Sequence, residues 1–373
     1  MCDYRNMKLD DGWAAIGERV RRIRVATGLT QAELADAIGL DDRSAVSKIE
    51  RGERRIDGME LVGLGRALKV PLDHFIEDPP QVFARRSSAL VAEETTEDET
   101  AMFRLQTALV AWRNDVRQLI GFGVLKVRKP LLYPGAQERQ DDGREAARWL
   151  RKRLNLASEP IETLMRPAEA VGLLYAVMVL DGEKNDEGAS LNAGDFSVAI
   201  LNRQSDVGRR RATAAHELGH VLLGDDFSTD IGVHASKEDR EAVIDAFASE
   251  FLLPAVVLKR FAVGLNRTDL IRLAAEYKVS WSLAIRQAEL AEVISDRDAK
   301  DWAGQTPTYT EFMDSLGWAP QPDLEKVVVS PSVAHAVMTA YSRSLISADR
   351  AVEMMRGQIR RDQLPEVDEV DSL

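Results

Sequence analysis

The sequence RRRATAAHELGHVLLGDD, residues 209–226, decides the fold of the centre of this chain. Its apolar residues recur at helical spacing, which predicts one helix. His216 and His220 are four positions apart, so both imidazoles project from one face of that helix and can share a tetrahedral metal ion. Glu217 lies at the edge of the same face, where a carboxylate can act as general base. The run therefore predicts a zinc-peptidase site with one zinc ion per chain.

A catalytic zinc site normally has three protein ligands and one open position, so another element must supply a third His, Asp or Glu. A third histidine does not follow HELGH at the expected spacing, because position 226 is Asp. The next predicted helix, residues 238–254, offers Glu241 and Asp245, with Glu250 as a further option. The pattern leaves this choice open, and His234 is predicted to be a surface histidine.

Two apolar, β-rich runs precede this helix and predict strands of a small sheet. They are AVGLLYAVMVL (170–180) and FSVAILN (196–202), and a turn-rich segment, residues 181–195, separates them. Further upstream, the apolar spacing over Met102 to Ile120 and over Arg144 to Leu154 predicts two amphipathic helices. The predicted fold class is mainly α with a small β-sheet, an α+β arrangement.

The order of these motifs resembles the ImmA/IrrE family of metallopeptidases over residues 145–260. The resemblance rests on a strand followed by RxxxAHELGH and ExxxDAFASEFLLP, with EGAS (Glu187 to Ser190) upstream. One difference is Val243, which stands where many family helices carry a second acidic residue.

The resemblance implies a gluzincin-like zinc peptidase that cleaves a repressor protein. By that resemblance His216 and His220 are zinc ligands and Glu217 is the general base. Glu241 is the best match for the third ligand, with Asp245 as the alternative.

The first 76 residues have a different pattern, a series of short helices. A first helix through Ile16, Val20 and Ile23 ends near Gly28, and Thr30 begins a second helix with a capping box. A third helix is predicted from Ser44 to Arg51 and a fourth from Met59 to Leu68. A helix, a tight turn and a second helix form the geometry that enters the DNA major groove.

LTQAELADAIG followed by VSKIERGER resembles the XRE (lambda-repressor-like) helix-turn-helix domain over residues 13–76. The resemblance implies that Ser44 to Arg51 is the recognition helix on a double-stranded DNA operator. The candidate DNA contacts are Gln31, Arg43, Ser44, Ser47, Lys48 and Arg51. Residues 1–76 are electrically neutral, whereas the whole chain carries −12. A protein-binding module of the same shape is the alternative.

Composition limits the remaining possibilities. A chain of 373 residues with 45% hydrophobic content can fill two or three cores. The single cysteine, Cys2, excludes an intramolecular disulfide and a cysteine-based zinc site. No apolar signal region or membrane-spanning run is recognisable, so we expect a cytoplasmic protein without a membrane partner, and a secreted digestive protease is excluded.

The predicted domains follow the chain in order. They are a helix-turn-helix domain (13–76), a linker (77–100), a metallopeptidase domain (101–260), a helical extension (261–300), and a helical C-terminal region with an acidic tail (301–373). Within the last region, residues 302–322 are predicted to be an irregular connection.

Two functions fit these domains. The first is a DNA-binding regulator with a zinc endopeptidase that cleaves a repressor or antitoxin, or the chain itself, in a stress, prophage or toxin-antitoxin response. The second is a non-proteolytic repressor or antitoxin whose peptidase fold is a sensor or dimerisation scaffold. The intact HELGH favours the first, and we expect a homodimer in either case.

Overall fold

The computed structural model describes residues 9–40, 42–68, 70, 72–76, 83–86, 96–180, 186–204, 207–224, 237–261, 264–318 and 323–366. His234 and the end of the acidic tail, from residue 367, lie outside this part of the chain. The chain forms two compact units. The first contains the described residues up to 76 and residues 96–111, and the second contains the described residues from Trp112 onward together with residues 83–86.

The first unit is built from short helices around a small apolar core. They are α1 (Leu9–Ala26), α2 (Gln31–Ile38), α3 (Arg43–Glu50), α4 (Gly58–Leu68) and α5 (Asp73–Ile76). Apolar side chains from all five helices are buried in that core, among them Val20, Leu34, Val46, Ile49, Leu64 and Phe75.

Local capping sets the helix boundaries in this unit. The Thr30 hydroxyl accepts a hydrogen bond from the Glu33 backbone N–H, and the Glu33 carboxylate accepts one from the Thr30 backbone N–H. The predicted capping box is therefore confirmed. Gly39 ends α2 at φ 72°, and the Asp42 carboxylate begins α3 by accepting from the Ser44 backbone N–H at 3.2 Å. The third helix thus starts one residue earlier than predicted.

The second unit contains a five-stranded mixed sheet with the order β1-β3-β4-β2-β5. The strands are β1 (Phe83–Arg86), β2 (Leu173–Met178), β3 (Asp186–Asn192), β4 (Ser197–Asn202) and β5 (Val328–Val329). β2 and β4 pair in parallel, and the other pairs are antiparallel. Every residue of β2 and β4 is buried, which explains why both read as continuous apolar runs.

The remaining described helices follow one another along the chain. They are α6 (Thr96–Gly121), α7 (Gln140–Arg153), α8 (Met165–Ala170), α9 (Val207–Leu222), α10 (Lys237–Leu252), α11 (Ala255–Leu258), α12 (Arg267–Glu276), α13 (Trp281–Leu290), α14 (Asp296–Ala303), α15 (Tyr309–Leu316), α16 (Pro331–Ser342) and α17 (Ala348–Met354). Short 3₁₀ turns occupy Lys259–Phe261 and Arg361–Gln363. Among the described residues, no helix is long and apolar enough to cross a membrane.

The α+β class is confirmed, and β2 and β4 lie where the apolar runs predict strands. Three segments differ from the sequence prediction. The segment 77–100, predicted as a linker, contains β1 and the start of α6, and the turn-rich segment 181–195 contains β3. Both strands have few large apolar residues, so their pairing with the sheet is invisible in the local sequence.

The segment 302–322, predicted to be irregular, contains the end of α14 and all of α15. A capping box of Thr308 and Glu311 begins α15, and this local signal was sufficient to indicate a helix. The predicted last helical pair is confirmed as α16 and α17.

Candidate metal centre and helix-turn-helix surface

The candidate metal centre lies between α9 and α10. A Cβ atom added to Gly219, the glycine of HELGH, would lie 2.9 Å from Ile244 Cγ2 and 2.9 Å from Phe247 Cδ1. Only glycine therefore lets the two helices pack this closely at that level. The close packing brings the two histidines of α9 opposite the acidic residues of α10.

Three side chains converge at this position. His216 Nε2 lies 3.1 Å from His220 Nε2 and 3.1 Å from Glu241 Oε2. One ligand atom from each of the three lies within 4.8 Å of the other two. Zinc–nitrogen distances of about 2.0–2.1 Å imply ligand separations of about 3.3 Å in a tetrahedral site. His216, His220 and Glu241 therefore fit one zinc ion, both in donor chemistry and in spacing.

The other two acidic candidates have different positions. Asp245 Oδ1 lies 2.9 Å from Nδ1 of His216, on the side of the ring away from the converging Nε2 atoms. Glu250 is buried, and its carboxylate accepts from Arg148 Nε at 3.0 Å and from the Ala255 backbone N–H at 3.2 Å. Asp245 is thus placed to orient a ligand, and Glu250 to link α10 to its neighbours.

Charge and burial have opposite effects on the pKa of Glu241. Burial by itself raises the pKa of Glu241. The hydrogen bond to His216 and the positive charges of His220 and His216 outweigh that effect, so the pKa is lowered. Its side chain is 35% exposed, whereas His216 and His220 are 1% and 4% exposed. Glu241 is therefore the most exposed of the three side chains in the cluster.

Glu217 is fully buried beside the two histidines. Its Oε2 accepts a hydrogen bond from the Ser190 hydroxyl of β3. Its other oxygen, Oε1, is buried and has no hydrogen-bond partner among the described residues. An unpaired carboxylate oxygen in the protein interior costs free energy, so a polar group from outside the chain is expected to occupy this position.

Two segments of the chain match family models. Residues 176–288 match the model described as IrrE N-terminal-like domain, of peptidase family M78, and residues 20–75 match the model described as helix-turn-helix. The chain carries a helix-turn-helix domain and an IrrE N-terminal-like domain. The IrrE N-terminal-like match includes α9, α10, α12 and most of α13.

The curated relatives are similar to a short part of this chain. An uncharacterized transcriptional regulator in the ATPase CF(0) region of Rhodospirillum rubrum is 42% identical over 65 residues, which cover 17% of this chain and 59% of that protein. Uncharacterized HTH-type transcriptional regulators of Sinorhizobium medicae and Rhizobium meliloti are 31% identical over 65 residues, covering 17% of this chain and 46% of each relative. The chain thus spans about half the length of these relatives.

Two solved structures are also similar to parts of the chain. The restriction-modification controller protein C.AhdI from Aeromonas hydrophila is 36% identical, covers 17% of this chain and 94% of its own, and has a TM-score of 0.16. Bacillus thuringiensis PlcR, solved with the peptide PapR7 and DNA, is 12% identical over 91% of both chains, with a TM-score of 0.17.

In the helix-turn-helix domain, the predicted contact residues lie on or next to α3, except Gln31. Arg43, Ser44, Lys48 and Arg51 are exposed, and Ser47 is half-buried. The Ser44 hydroxyl donates to the Asp42 carboxylate at 2.9 Å and so belongs to the helix cap. These hydrogen bonds from Ser44 lower the pKa of Asp42.

Gln31 is the first residue of α2, and its amide has a partner inside the domain. Gln31 Nε2 donates to Glu50 Oε2 at 2.7 Å, and Arg24 Nε donates to Glu50 Oε1 at 2.5 Å. Glu50 is 6% exposed. The side chains of Arg24, Gln31 and Glu50 therefore connect α1, α2 and α3. The hydrogen bond to Glu50 orients the Gln31 side chain.

The sequence does not predict the contacts that two residues of the IrrE N-terminal-like domain make. Ser190 contacts Glu217, but nothing in the spacing of EGAS predicts which atom it meets. Asp245 contacts Nδ1 of His216, whereas the sequence pattern predicts it only as an alternative metal ligand. The i to i+4 spacing of Glu241 and Asp245 was the available signal, since it places both on one face of α10.

Proposed function

We propose that this chain is a DNA-binding transcriptional regulator whose IrrE N-terminal-like domain is a zinc-dependent endopeptidase. The buried Glu217 carries this proposal, because it follows the candidate ligand His216 in the sequence and its Oε1 has no hydrogen-bond partner among the described residues. The proposed protein substrate is a repressor or antitoxin, or the chain itself, in a stress, prophage or toxin-antitoxin response. The protein would act in the cytoplasm as a homodimer on a DNA operator.

His216, His220 and Glu241 would hold the zinc ion. When bound, zinc supplies Lewis-acid activation of water and of a peptide carbonyl. Glu217 acts as general base at Oε1 and returns the proton to the leaving amine, while the Ser190 hydrogen bond keeps Oε2 turned away. Burial of Glu217 excludes bulk water from the base.

The decisive substitution is Glu217→Gln, which removes the base and preserves the shape of the side chain. We expect the variant to retain about one zinc per chain and to lose cleavage of the target repressor, sought among proteins encoded beside this gene. His216→Ala is the matched control, which should lose zinc as well as cleavage. If the zinc-loaded chain cleaves none of these proteins and is not cut itself, both as the wild type and with β1 disrupted by Ala84→Pro and Arg85→Pro, the non-proteolytic scaffold function replaces this proposal.

We propose that the helix-turn-helix domain binds double-stranded DNA through α3. The exposed Arg43, Lys48 and Arg51 give that helix a basic surface in a domain without net charge. Electrophoretic mobility shifts with the promoter fragment of its own gene test this binding. Sedimentation of the free protein tests the homodimer, and an absence of any shift at low salt contradicts the DNA-binding role.

A further inference from the structure

The outer edge of β3 is occupied by a segment of the same chain. β1 pairs with β3 in antiparallel register, with Phe83 opposite Ser190, Ala84 opposite Ala189 and Arg85 opposite Gly188. On its inner side, β3 pairs with β4. Among the described strands, β1 is the last on this side of the sheet, so residues 83–86 occupy the outer edge of β3.

This edge passes the proposed general base. Ser190 is the β3 residue whose hydroxyl contacts Glu217, and it is also the partner of Phe83 in the strand register. Neighbouring strands lie about 4.8 Å apart. The backbone of β1 therefore runs one strand spacing from the residue that contacts Glu217.

An extended peptide can bind an open sheet edge by adding a strand, through main-chain hydrogen bonds that need no particular sequence. A protein substrate presented to Glu217 in this way requires the same N–H and C=O groups of β3 that β1 uses. Each of these groups can pair with one strand at a time. Binding of β1 and binding of an extended substrate on this edge are thus mutually exclusive.

We propose that β1 is an internal pseudosubstrate, which occupies the peptide-binding edge of β3 and keeps the IrrE N-terminal-like domain inhibited until β1 is displaced. This inference rests on the proposed peptidase function and specifies how that site is regulated. The position of β1 in the sequence suits a regulatory role, because β1 follows the helix-turn-helix domain within the region 77–100. A conformational change in the helix-turn-helix domain can therefore displace β1, because the chain connects the two.

The pairing of β1 is short enough to be reversible. β1 has four residues, it pairs with one strand among the described residues, and its register shifts between Arg85 and Arg86. β3 pairs with β4 over five residues without a shift. Loss of β1 therefore leaves the rest of the sheet paired, as a displaceable inhibitor requires.

The test measures peptide binding in the full chain carrying Glu217→Gln, so that no cleavage interferes. The probe is a fluorescein-labelled peptide with the sequence of residues 81–88, QVFARRSS. Ala84→Pro with Arg85→Pro removes two adjacent backbone N–H groups of β1, one of which faces β3. We expect the peptide to bind this variant at least about tenfold more tightly than the parent.

The matched control is Val328→Pro, which disrupts β5 at the opposite edge of the sheet. It should bind the peptide no better than the parent. Equal binding to the parent and to the β1 variant, or equal gain in the control, overturns the proposal. Circular dichroism of each variant shows that the chain is folded.

A reversible disulfide that holds β1 on β3 gives a second, independent measurement. Ala84→Cys with Ala189→Cys, in a Cys2→Ser background, places two cysteines at directly paired positions, where Cα separations of about 4.5–5.5 Å suit a disulfide. We expect the oxidised chain to reject the peptide and the reduced chain to regain the affinity of the parent. Failure of the disulfide to form, or peptide binding by the locked chain, contradicts the proposal.

The outcomes separate this inference from the proposed function. Peptide binding is measured without the general base and does not depend on turnover. A β1 variant with Glu217 intact that binds the peptide but cleaves nothing refutes the peptidase activity and retains β1 as the edge occupant. A wild type that cleaves its target equally well with β1 locked refutes the inhibitory role alone.

Discussion

Nδ1 of His216 lies 2.9 Å from Oδ1 of Asp245, while Nε2 of the same ring lies 3.1 Å from Glu241. The two acidic residues of α10 thus contact opposite nitrogens of one imidazole. A carboxylate on the far nitrogen fixes the ring orientation and the tautomer of a metal-binding histidine. The structure therefore gives different positions to the two residues that the sequence leaves as alternatives.

Asp245→Ala should weaken zinc binding without abolishing it. Loss of a carboxylate that orients a histidine ligand typically costs about 10–100-fold in metal affinity. Glu241→Ala removes a proposed ligand and should cost more. Competition for zinc against a chromophoric chelator measures both variants, and a larger loss in Asp245→Ala than in Glu241→Ala would reverse the assignment.

Gly143→Ala should destabilise the second unit. A Cβ at this position would lie 2.1 Å from the Val243 carbonyl oxygen, so α7 and α10 must separate. Forced repacking of this kind costs about 1–3 kcal/mol. Gly121→Ala, where a Cβ meets nothing within 4 Å, is the control. Denaturant unfolding followed by circular dichroism should show a loss of stability for Gly143→Ala alone.

The features that the sequence predicts well are local. The four-residue spacing of His216 and His220 places both on one helical face whatever surrounds them, and the capping box of Thr30 and Glu33 involves neighbouring backbone groups. Both could be predicted without a tertiary structure.

The features that the sequence does not predict depend on distant segments. β1 and β3 pair across about a hundred residues, and neither has the long apolar run that identifies β2 and β4. The choice between Glu241 and Asp245 depends on how α9 and α10 pack, which Gly219 and its neighbours determine. Long-range packing cannot be read from a local pattern.

Gln31→Ala should lower the stability of the helix-turn-helix domain, whereas Lys48→Ala should leave it unchanged. Gln31 donates to Oε2 of the buried Glu50, and Arg24 Nη2 also donates to that oxygen at 3.2 Å. Loss of the Gln31 hydrogen bond should therefore cost about 0.5–1.5 kcal/mol. Lys48 is exposed, and its removal should leave stability unchanged. Amide hydrogen exchange of α3 in the full chain measures this difference.

DNA binding of the same two variants provides the complementary measurement. If Lys48 contacts a phosphate, Lys48→Ala should weaken binding to duplex DNA of any sequence. It should also reduce the slope of log affinity against log salt concentration by about one. A salt slope that does not change removes Lys48 from the phosphate contacts.

Glu311 should make the stability of the second unit depend on pH in the acidic range. Hydrogen bonds from the Thr308 backbone, and then from Arg267, lower the pKa of Glu311 from 4.5 to about 2. Because the folded pKa is the lower one, the stabilisation is complete above about pH 4.5 and is lost as the pH falls toward 2. Glu311→Gln cannot ionise, so the difference in melting temperature between the wild type and this variant should be largest at neutral pH and should shrink between pH 5 and pH 3. A difference that stays constant over this range would show that the carboxylate charge contributes nothing to folding.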